Sequence, residues 1–351
     1  MKNKKWISLA AAVILAVTAL PMTAFAAEKD GGEEKLTKVT LNEVAHSIFY
    51  APQYVAIEEG YFSEEGLDLT LITGFGADKV LTALISGEAD IGFMGAEASI
   101  YAYQEGATDP VVNFAQLTQR AGNFLVAREE MPDFKWEDLK GRKVLGGRKG
   151  GMPEMVFEYI LKKNGLDPEK DLSIDQSIDF GATAAAFTGD DSADFTVEFE
   201  PSATALEKQG AGYVVASLGV DSGYVPYTSY SARTSYMEKN PDIMQKFTDA
   251  LQKGMDFVQS HTPEEIAEII EPQFPAEEIA ETIKPQFKET DTEKIAIIVD
   301  RYKEQDTWKE NLVFGQDGFE LLQDILEDAG ELKERTPYAE LVNTEFAQNA
   351  S

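Results

Sequence analysis

The stretch LDLTLITGFGADKVLTALISGEADIGFMGAEASIYAYQEG, residues 67–106, decides the fold. LDLTLIT reads as a strand, ADKVLTALISGE as a helix with apolar residues three and four apart, ADIGFMG as a buried strand, and EASIYAYQEG as a second helix. Strand–helix units joined by short connections predict a parallel sheet flanked by helices, with right-handed crossovers. Where the second strand runs into its helix stands a carboxylate, Glu97, at the mouth of an apolar layer.

Working outward, KVTLNEV (38–44) alternates at period two as a first strand, and PQYVAIEEGYF (52–62) follows as a helix. VVNFAQLTQ (111–119) and GNFLVAR (122–128) are strand-like runs suited to a passage between two lobes. A second alternation begins at RKVLGGR (142–148), with a helix over 153–164, a strand in DLSIDQSIDF and a short helix through ATAAAF. ADFTVEF and GYVVASLG then bracket the helix PSATALEKQG. Beyond residue 235 the pattern turns helical, as in DIMQKFTDALQKGMDFVQ and KIAIIVDRYKEQDTW. EEIAEIIEPQF (264–274) recurs as EEIAETIKPQF (277–287). Two copies of so short a unit make no repeat architecture and read as successive helical turns, closed by Pro272 and Pro285.

Lys2, Lys4 and Lys5, an apolar run over 6–20 and Ala24-Phe25-Ala26 predict a secretory signal peptide over 1–26. Removing it takes three of the 31 basic residues and leaves 28 against 62 acidic, a formal charge of −34. Such a surface repels nucleic acid and anionic lipid headgroups, so neither is an expected partner. The chain has no cysteine and only two histidines, His46 and His261. That excludes disulfides, thiolate catalysis and lipid attachment through an N-terminal cysteine, and it argues against a histidine-rich metal site. No cofactor is expected. The length fits about two lobes.

Ligands of open parallel sheets bind beyond the carboxyl ends of the strands, where loops lead into helices. Five such junctions stand out. They are His46, Phe49 and Tyr50 after the first strand; Gly74-Phe75-Gly76 and Asp78 after the second; and Gly95, Ala96 and Glu97 after the third. In the second half they are the glycine loop 146–151 with Arg148, Gly150 and Gly151, and the strand end carrying Glu198 and Glu200. Each has a plainer use. Glu97 and Asp78 suit a helix N-terminus, where a carboxylate offsets the dipole by ~0.3–1 kcal/mol. Phe49 and Tyr50 suit a core, and a lone His46 suits a structural hydrogen bond. The glycine loop lacks the Gly-Lys-Ser/Thr ending of a nucleotide loop, although its N–H groups suit an anion at a helix N-terminus. Their common edge favours a ligand cleft.

HSIFYAPQYVAIEEGYFSEEGLDL, ALISGEADIGFMGAE and FEPSATALEKQGAGYVVASLG resemble the nitrate/taurine/sulfonate family of ABC-transporter solute-binding proteins, over residues 38 to about 330. That group includes binders of thiamine-pyrimidine precursors and riboflavin. The resemblance implies a type II periplasmic binding protein fold, with two α/β lobes, a hinge and a C-terminal helical segment. It implies ligand capture in the interlobe cleft and delivery to a membrane permease. The expected boundaries are a flexible segment 27–36, a first lobe 37–118 completed by 226–335, a second lobe 119–225, and a tail 336–351. The chain is expected to cross between lobes near 118–122 and 222–228, to act as a monomer and to work outside the cytoplasm, periplasmic or at the cell surface.

Sulfonate and nitrate binders of the family tend to offer hydroxyls and N–H groups after the third strand, whereas this chain offers Glu97, with Glu198 and Glu200 across the cleft. A carboxylate facing an oxyanion is repulsive, and burying it unpaired is costly. It suits a ligand that donates N–H groups, with Phe49, Tyr50, Phe75 and Phe180 stacking a flat ring and Tyr227 joining the site. A nitrogen heterocycle of the thiamine-pyrimidine kind is therefore favoured. Taurine or another sulfonate, its anion held by the glycine loop and Arg148, and nitrate are the alternatives. A related thiamine-pyrimidine synthase shares the fold, but its catalysis is tied to a cysteine cluster absent here.

Overall fold

The computed structural model describes residues 35–178, 180–274 and 292–351. The signal peptide expected over 1–26 and the second copy of the EEIAE repeat lie outside the described residues. Among the described residues ten strands form two five-stranded sheets: β1 (Thr37–Glu43), β2 (Leu67–Thr73), β3 (Ile91–Met94), β4 (Val111–Thr118), β5 (Asn123–Ala127), β6 (Lys143–Leu145), β7 (Ser173–Asp175), β8 (Phe195–Phe199), β9 (Tyr213–Ser217) and β10 (Thr228–Arg233). The first sheet has the order β2-β1-β3-β10-β4 and the second β7-β6-β8-β5-β9. Both belong to one compact unit, Leu36–Ser351.

The strand–helix units behave as their periodicity predicts. β1 pairs in parallel with β2 and β3, and β6 pairs in parallel with β7 and β8. The helix Ala77–Ser86 stops where Gly87 adopts φ +81°, the left-handed turn that lets the chain leave a helix at little cost. A wholly parallel sheet is not what forms. β10 runs antiparallel between β3 and β4, and β5 runs antiparallel to β8 and β9. These are the strands by which the chain enters and leaves the second sheet. No helix stands between β4 and β5, and only the short helix Leu218–Ser222 precedes β10, so no right-handed crossover sets their direction. Every residue of β4 and β5 is buried, which explains their near-continuous apolar reading.

The C-terminal third braces the passage between the sheets. The peptide N–H groups of Gln116 and Gln119 donate to the carbonyls of Leu312 and Thr307 at 2.8 and 2.9 Å. Tyr302 donates to the Gly122 carbonyl at 3.1 Å and Gln305 to that of Ala121 at 3.1 Å. The return passage lies alongside, with Val225 N–H on the Gln119 carbonyl at 3.0 Å. Residues 338–349 form two short helices whose Leu341 and Phe346 are buried, and Val342 bridges to Asn113 of β4.

Candidate functional site

Glu97 opens the helix Glu97–Gln104 directly after β3. Its carboxylate folds back over Gly95, where an added Cβ would fall inside van der Waals contact with both oxygens. The residue is half-buried, yet its Oε2 is sealed from solvent and has no hydrogen-bond partner among the described residues. Burial pushes its carboxyl up to about 7, its own backbone N–H opposing the shift. Its negative charge reaches three phenols, Tyr50, Tyr101 and Tyr227, and raises each, burial being the larger cause. The hydroxyls of Tyr101 and Tyr227 are likewise buried without a partner. Ala96, between Gly95 and Glu97, is buried.

An aromatic wall joins this group to the second sheet. The turn Ile48–Tyr50 is capped by the Ser47 hydroxyl, which accepts from Phe49 N–H at 3.3 Å. That places Tyr50 edge-on to Phe93, centroids 4.5 Å apart, and Phe49 against Tyr227 at 5.9 Å and Phe199 at 6.1 Å. Phe199 ends β8 and lies 6.2 Å from Tyr227. Trp308 fixes the Phe49 carbonyl from the C-terminal segment at 3.0 Å. Gly122 leaves room for the two phenylalanines: a Cβ there would stand 2.7 Å from the Phe49 ring and 2.8 Å from that of Phe199.

The other expected residues have surroundings of their own. His46 is exposed, its Nδ1 2.7 Å from Glu43 Oε1 and its Nε2 2.7 Å from the Gln273 carbonyl. It caps a buried network in which Glu43 also accepts from Gln53, Tyr54 and Thr73 at 2.8, 2.9 and 3.0 Å. The loop after β2 is tight at Gly74, where a Cβ would come 2.8 Å from Asn42 Oδ1. Phe75 takes the left-handed φ +56° and, 60% exposed, presents its ring to solvent; Gly76 follows at φ +147°. Phe180 opens the helix Phe180–Gly189, and its side chain lies outside the description.

In the second half, Glu198 is buried and accepts from the Thr196 hydroxyl at 2.6 Å; burial raises its carboxyl to about 8, against the opposing hydrogen bonds from Thr196 and Thr183. Glu200 is engaged structurally. It caps the helix Ser202–Lys208 through Thr204 N–H at 3.0 Å and pairs with Arg301, which also grips Glu207. Gly150 donates its N–H to Glu154 Oε2 at 3.0 Å, so a carboxylate of this chain already occupies part of that anion seat. Burial, then the neighbouring Glu158, lifts Glu154 to about 7. Arg148 is exposed and Gly151 half-buried. A polar cavity of about 590 Å³ lies between the helices Met152–Lys163 and Gln316–Asp328, lined among others by Lys149, Glu154, Lys162, Asp328 and Glu331. Of the expected residues only Gly150 lines it. Glu331, one of its lining residues, adds to the upward shift of Tyr101, after burial and Glu97.

Two residues with unpaired buried polar atoms escaped the sequence reading. Tyr101 stands four residues after Glu97, on the same helix face, a spacing that was available. Asn123 is the polar first residue of an otherwise apolar strand, buried, with both amide atoms unpartnered among the described residues.

The chain matches the family described as NMT1/THI5 like over residues 48–266, a span that contains Tyr50, Glu97, Asn123 and Tyr227. It belongs to that family. Among its relatives, the "Putative binding protein YtlA" of Bacillus subtilis (strain 168) is 44% identical over 347 residues, 99% of this chain and 98% of that protein. The 4-amino-5-hydroxymethyl-2-methylpyrimidine phosphate synthase THI11 of Saccharomyces cerevisiae is 25% identical over 225 residues, 60% of this chain and 63% of that enzyme. The solved periplasmic nitrate-binding protein NrtA of Synechocystis PCC 6803 superposes with a TM-score of 0.64 at 17% identity, covering 90% of this chain and 88% of its own. The fold is that of periplasmic binding proteins, as the family resemblance implies. Among the described residues no helix is long and apolar enough to cross a membrane.

Proposed function

We propose that this protein is the extracytoplasmic solute-binding component of an ABC importer, capturing a small, flat, nitrogen-containing solute between its two sheets and passing it to a membrane permease. One observation carries the reading. Glu97 Oε2 and the Tyr101 and Tyr227 hydroxyls are buried without partners beside an aromatic wall built from both halves of the chain. Native proteins pair nearly all buried polar groups, so a set of unpaired ones calls for a partner that the chain itself does not supply. The likeness to a binding protein over almost the whole chain supports the same reading.

A buried carboxylate and phenols suit a donor-rich ring better than an oxyanion. The Gly150–Glu154 hydrogen bond weakens the case for taurine, another sulfonate or nitrate at the glycine loop. The synthase relatives raise a catalytic alternative. With no cysteine and with His46 held by Glu43 and Gln273, a nucleophile–base pair is not supported. Export with retention outside the cytoplasm, and action as a monomer, complete the proposal.

The test is a thermal-shift screen of vitamins and their precursors, sulfonates, nitrate and amino acids. A ligand at about 100 times its Kd stabilises the protein by about 2.7 kcal/mol. Hits confined to sulfonates or nitrate overturn the ligand class. Conversion of a hit to product, read by mass spectrometry, overturns the transport role.

A further inference from the structure

The turn that presents Glu97 is tied to a buried amide. Asn113 of β4 is fully buried, and so are Ser99, Ser229 and Ser231 around it. Its side chain uses every bond it has. Nδ2 donates to the Ser99 hydroxyl at 2.7 Å and to the Leu341 carbonyl at 3.1 Å, while Oδ1 accepts from the hydroxyls of Ser229 and Ser231 at 2.6 and 2.9 Å. One partner fixes the arrangement of the rest. A carbonyl only accepts, so the amide nitrogen must face Leu341. Ser99, on that side, then accepts from the amide and keeps its own proton for the Ala96 carbonyl, 2.8 Å away.

That carbonyl belongs to the peptide unit whose N–H is that of Glu97. A peptide unit is planar, so a grip on the Ala96 oxygen sets the direction of the Glu97 N–H. It is this N–H that opposes the effect of burial on the Glu97 carboxyl, which lies folded back over Gly95. The contacts therefore run without a gap from Leu341 through Asn113, Ser99 and the Ala96–Glu97 peptide to the carboxyl. The same stretch of chain holds more of this corner. Asn343 N–H donates to the Asn113 backbone carbonyl at 2.9 Å, and Gln104, at the far end of the helix Glu97–Gln104, donates to the Glu334 carbonyl at 2.7 Å.

We infer that Asn113 is a positioning residue for Glu97, and that residues 334–343 are part of the mount of the site rather than a tail. What the position serves rests on the solute-binding reading above. Asn113 itself has nothing left for a ligand, since its four bonds are spent inside the chain. A half-buried carboxyl left to itself turns out to water rather than stay sealed without a partner. The network supplies the constraint that keeps Glu97 Oε2 in place.

The experiment uses the unliganded full chain, so it can fail while the solute-binding role stands. Thermal melts from pH 4 to 8 compare each background with and without Glu97→Gln and read how far the two curves diverge. The backgrounds are wild type, Ser99→Ala, Asn113→Ala and, as a control, Ser231→Ala. Ser99→Ala cuts the link to Ala96 and leaves Asn113 its other three partners. It is expected to lower Tm slightly and to reduce the divergence to roughly half or less, because groups in one network are not additive. Asn113→Ala is expected to do the same with a larger loss of Tm. Ser231→Ala removes a donor on the far side of the amide, and it is expected to lower Tm evenly across the pH range with the divergence kept. Full divergence in Ser99→Ala overturns the positioning role, whether or not Asn113→Ala folds. Loss of divergence in Ser231→Ala as well overturns it too, since that marks a general loosening of the sheet. Parallel curves in wild type also overturn it, because Glu97 is then not held out of water. A thermal-shift screen without a hit overturns the solute-binding role and leaves the mount of Glu97 untouched.

Discussion

The carboxylate of Glu97 lies over the α-carbon of Gly95, so that residue 95 has no space for a side chain while residue 97 keeps its conformation. The obstructing atoms are the end of a movable side chain, not backbone. Gly95→Ala should therefore fold and displace Glu97 instead. In calorimetry with a ligand identified by screening, Gly95→Ala should weaken binding about as much as Glu97→Gln. The double variant should be no worse than either single one, because the two changes remove the same contact. Additive losses would mean that Gly95 serves something other than Glu97.

Glu97→Gln keeps the shape and removes the charge. Hydrogen bonds to an ionised group contribute ~1.5–3 kcal/mol, so affinity should fall roughly tenfold to a hundredfold at 1.4 kcal/mol per decade. A helix-dipole role alone would leave affinity untouched.

The same residue sets a pH signature in the unliganded protein. Its carboxyl is held near 7 by burial, whereas in the unfolded chain a glutamate titrates near 4.3. Below about pH 4 both states hold the proton and Glu97 has no pH-linked effect. As pH rises from about 4.3 to 7, the unfolded chain ionises first and stability is lost; above 7 the loss is constant. Thermal melts of wild type and Glu97→Gln should therefore diverge over that window, the variant gaining relative stability as pH rises. Parallel curves from pH 4 to 8 would show that the carboxylate is already compensated.

Arg301 tests whether Glu200 is structural. It pairs with Glu200, whose side chain is fully buried, and with Glu207. Arg301→Ala strands a buried carboxylate, which costs about 3 kcal/mol or more, so its Tm should drop by several degrees. Affinity for a screened ligand should change less than threefold. A loss of binding without a loss of Tm would return Glu200 to the ligand site.

These relationships divide what could be read from the chain and what could not. β1, β2 and β3 and the helices between them were legible because their signal is local periodicity, and so was Glu97 as an acid at a strand end. The direction of β10 was not, since it depends on where the chain returns from the second sheet. The partners of His46, Glu43 and, 227 residues away, Gln273, emerge only in the fold. Glu200 looked available until Arg301 closed on it from 101 residues along the chain. Asn123 carried no local signal beyond one amide in an apolar run. Periodicity reports the face a residue takes, while pairing across the fold decides whether a polar group is spent or free.

Gly122 gives the last test, and it concerns closure. The Phe49 ring comes from the loop after β1 and the Phe199 ring from the end of β8, and both press on Gly122. Unlike the carboxylate over Gly95, the ring carbons 2.7 and 2.8 Å from an added Cβ belong to the buried Phe49, whose carbonyl Trp308 holds, and to the half-buried Phe199, which packs near Tyr227. Overpacking of this kind costs about 1–3 kcal/mol, and it is relieved most directly by parting the two halves. If the crossings near 118–122 and 222–228 act as a hinge, Gly122→Ala should shift the protein toward an open form. Small-angle scattering should then show a larger radius of gyration than wild type without ligand. Saturating ligand should shrink it, with an affinity reduced by the free energy spent on closing. An identical scattering profile for variant and wild type, with Tm lowered, would mean that the strain is absorbed in place and that the two sheets form one rigid body.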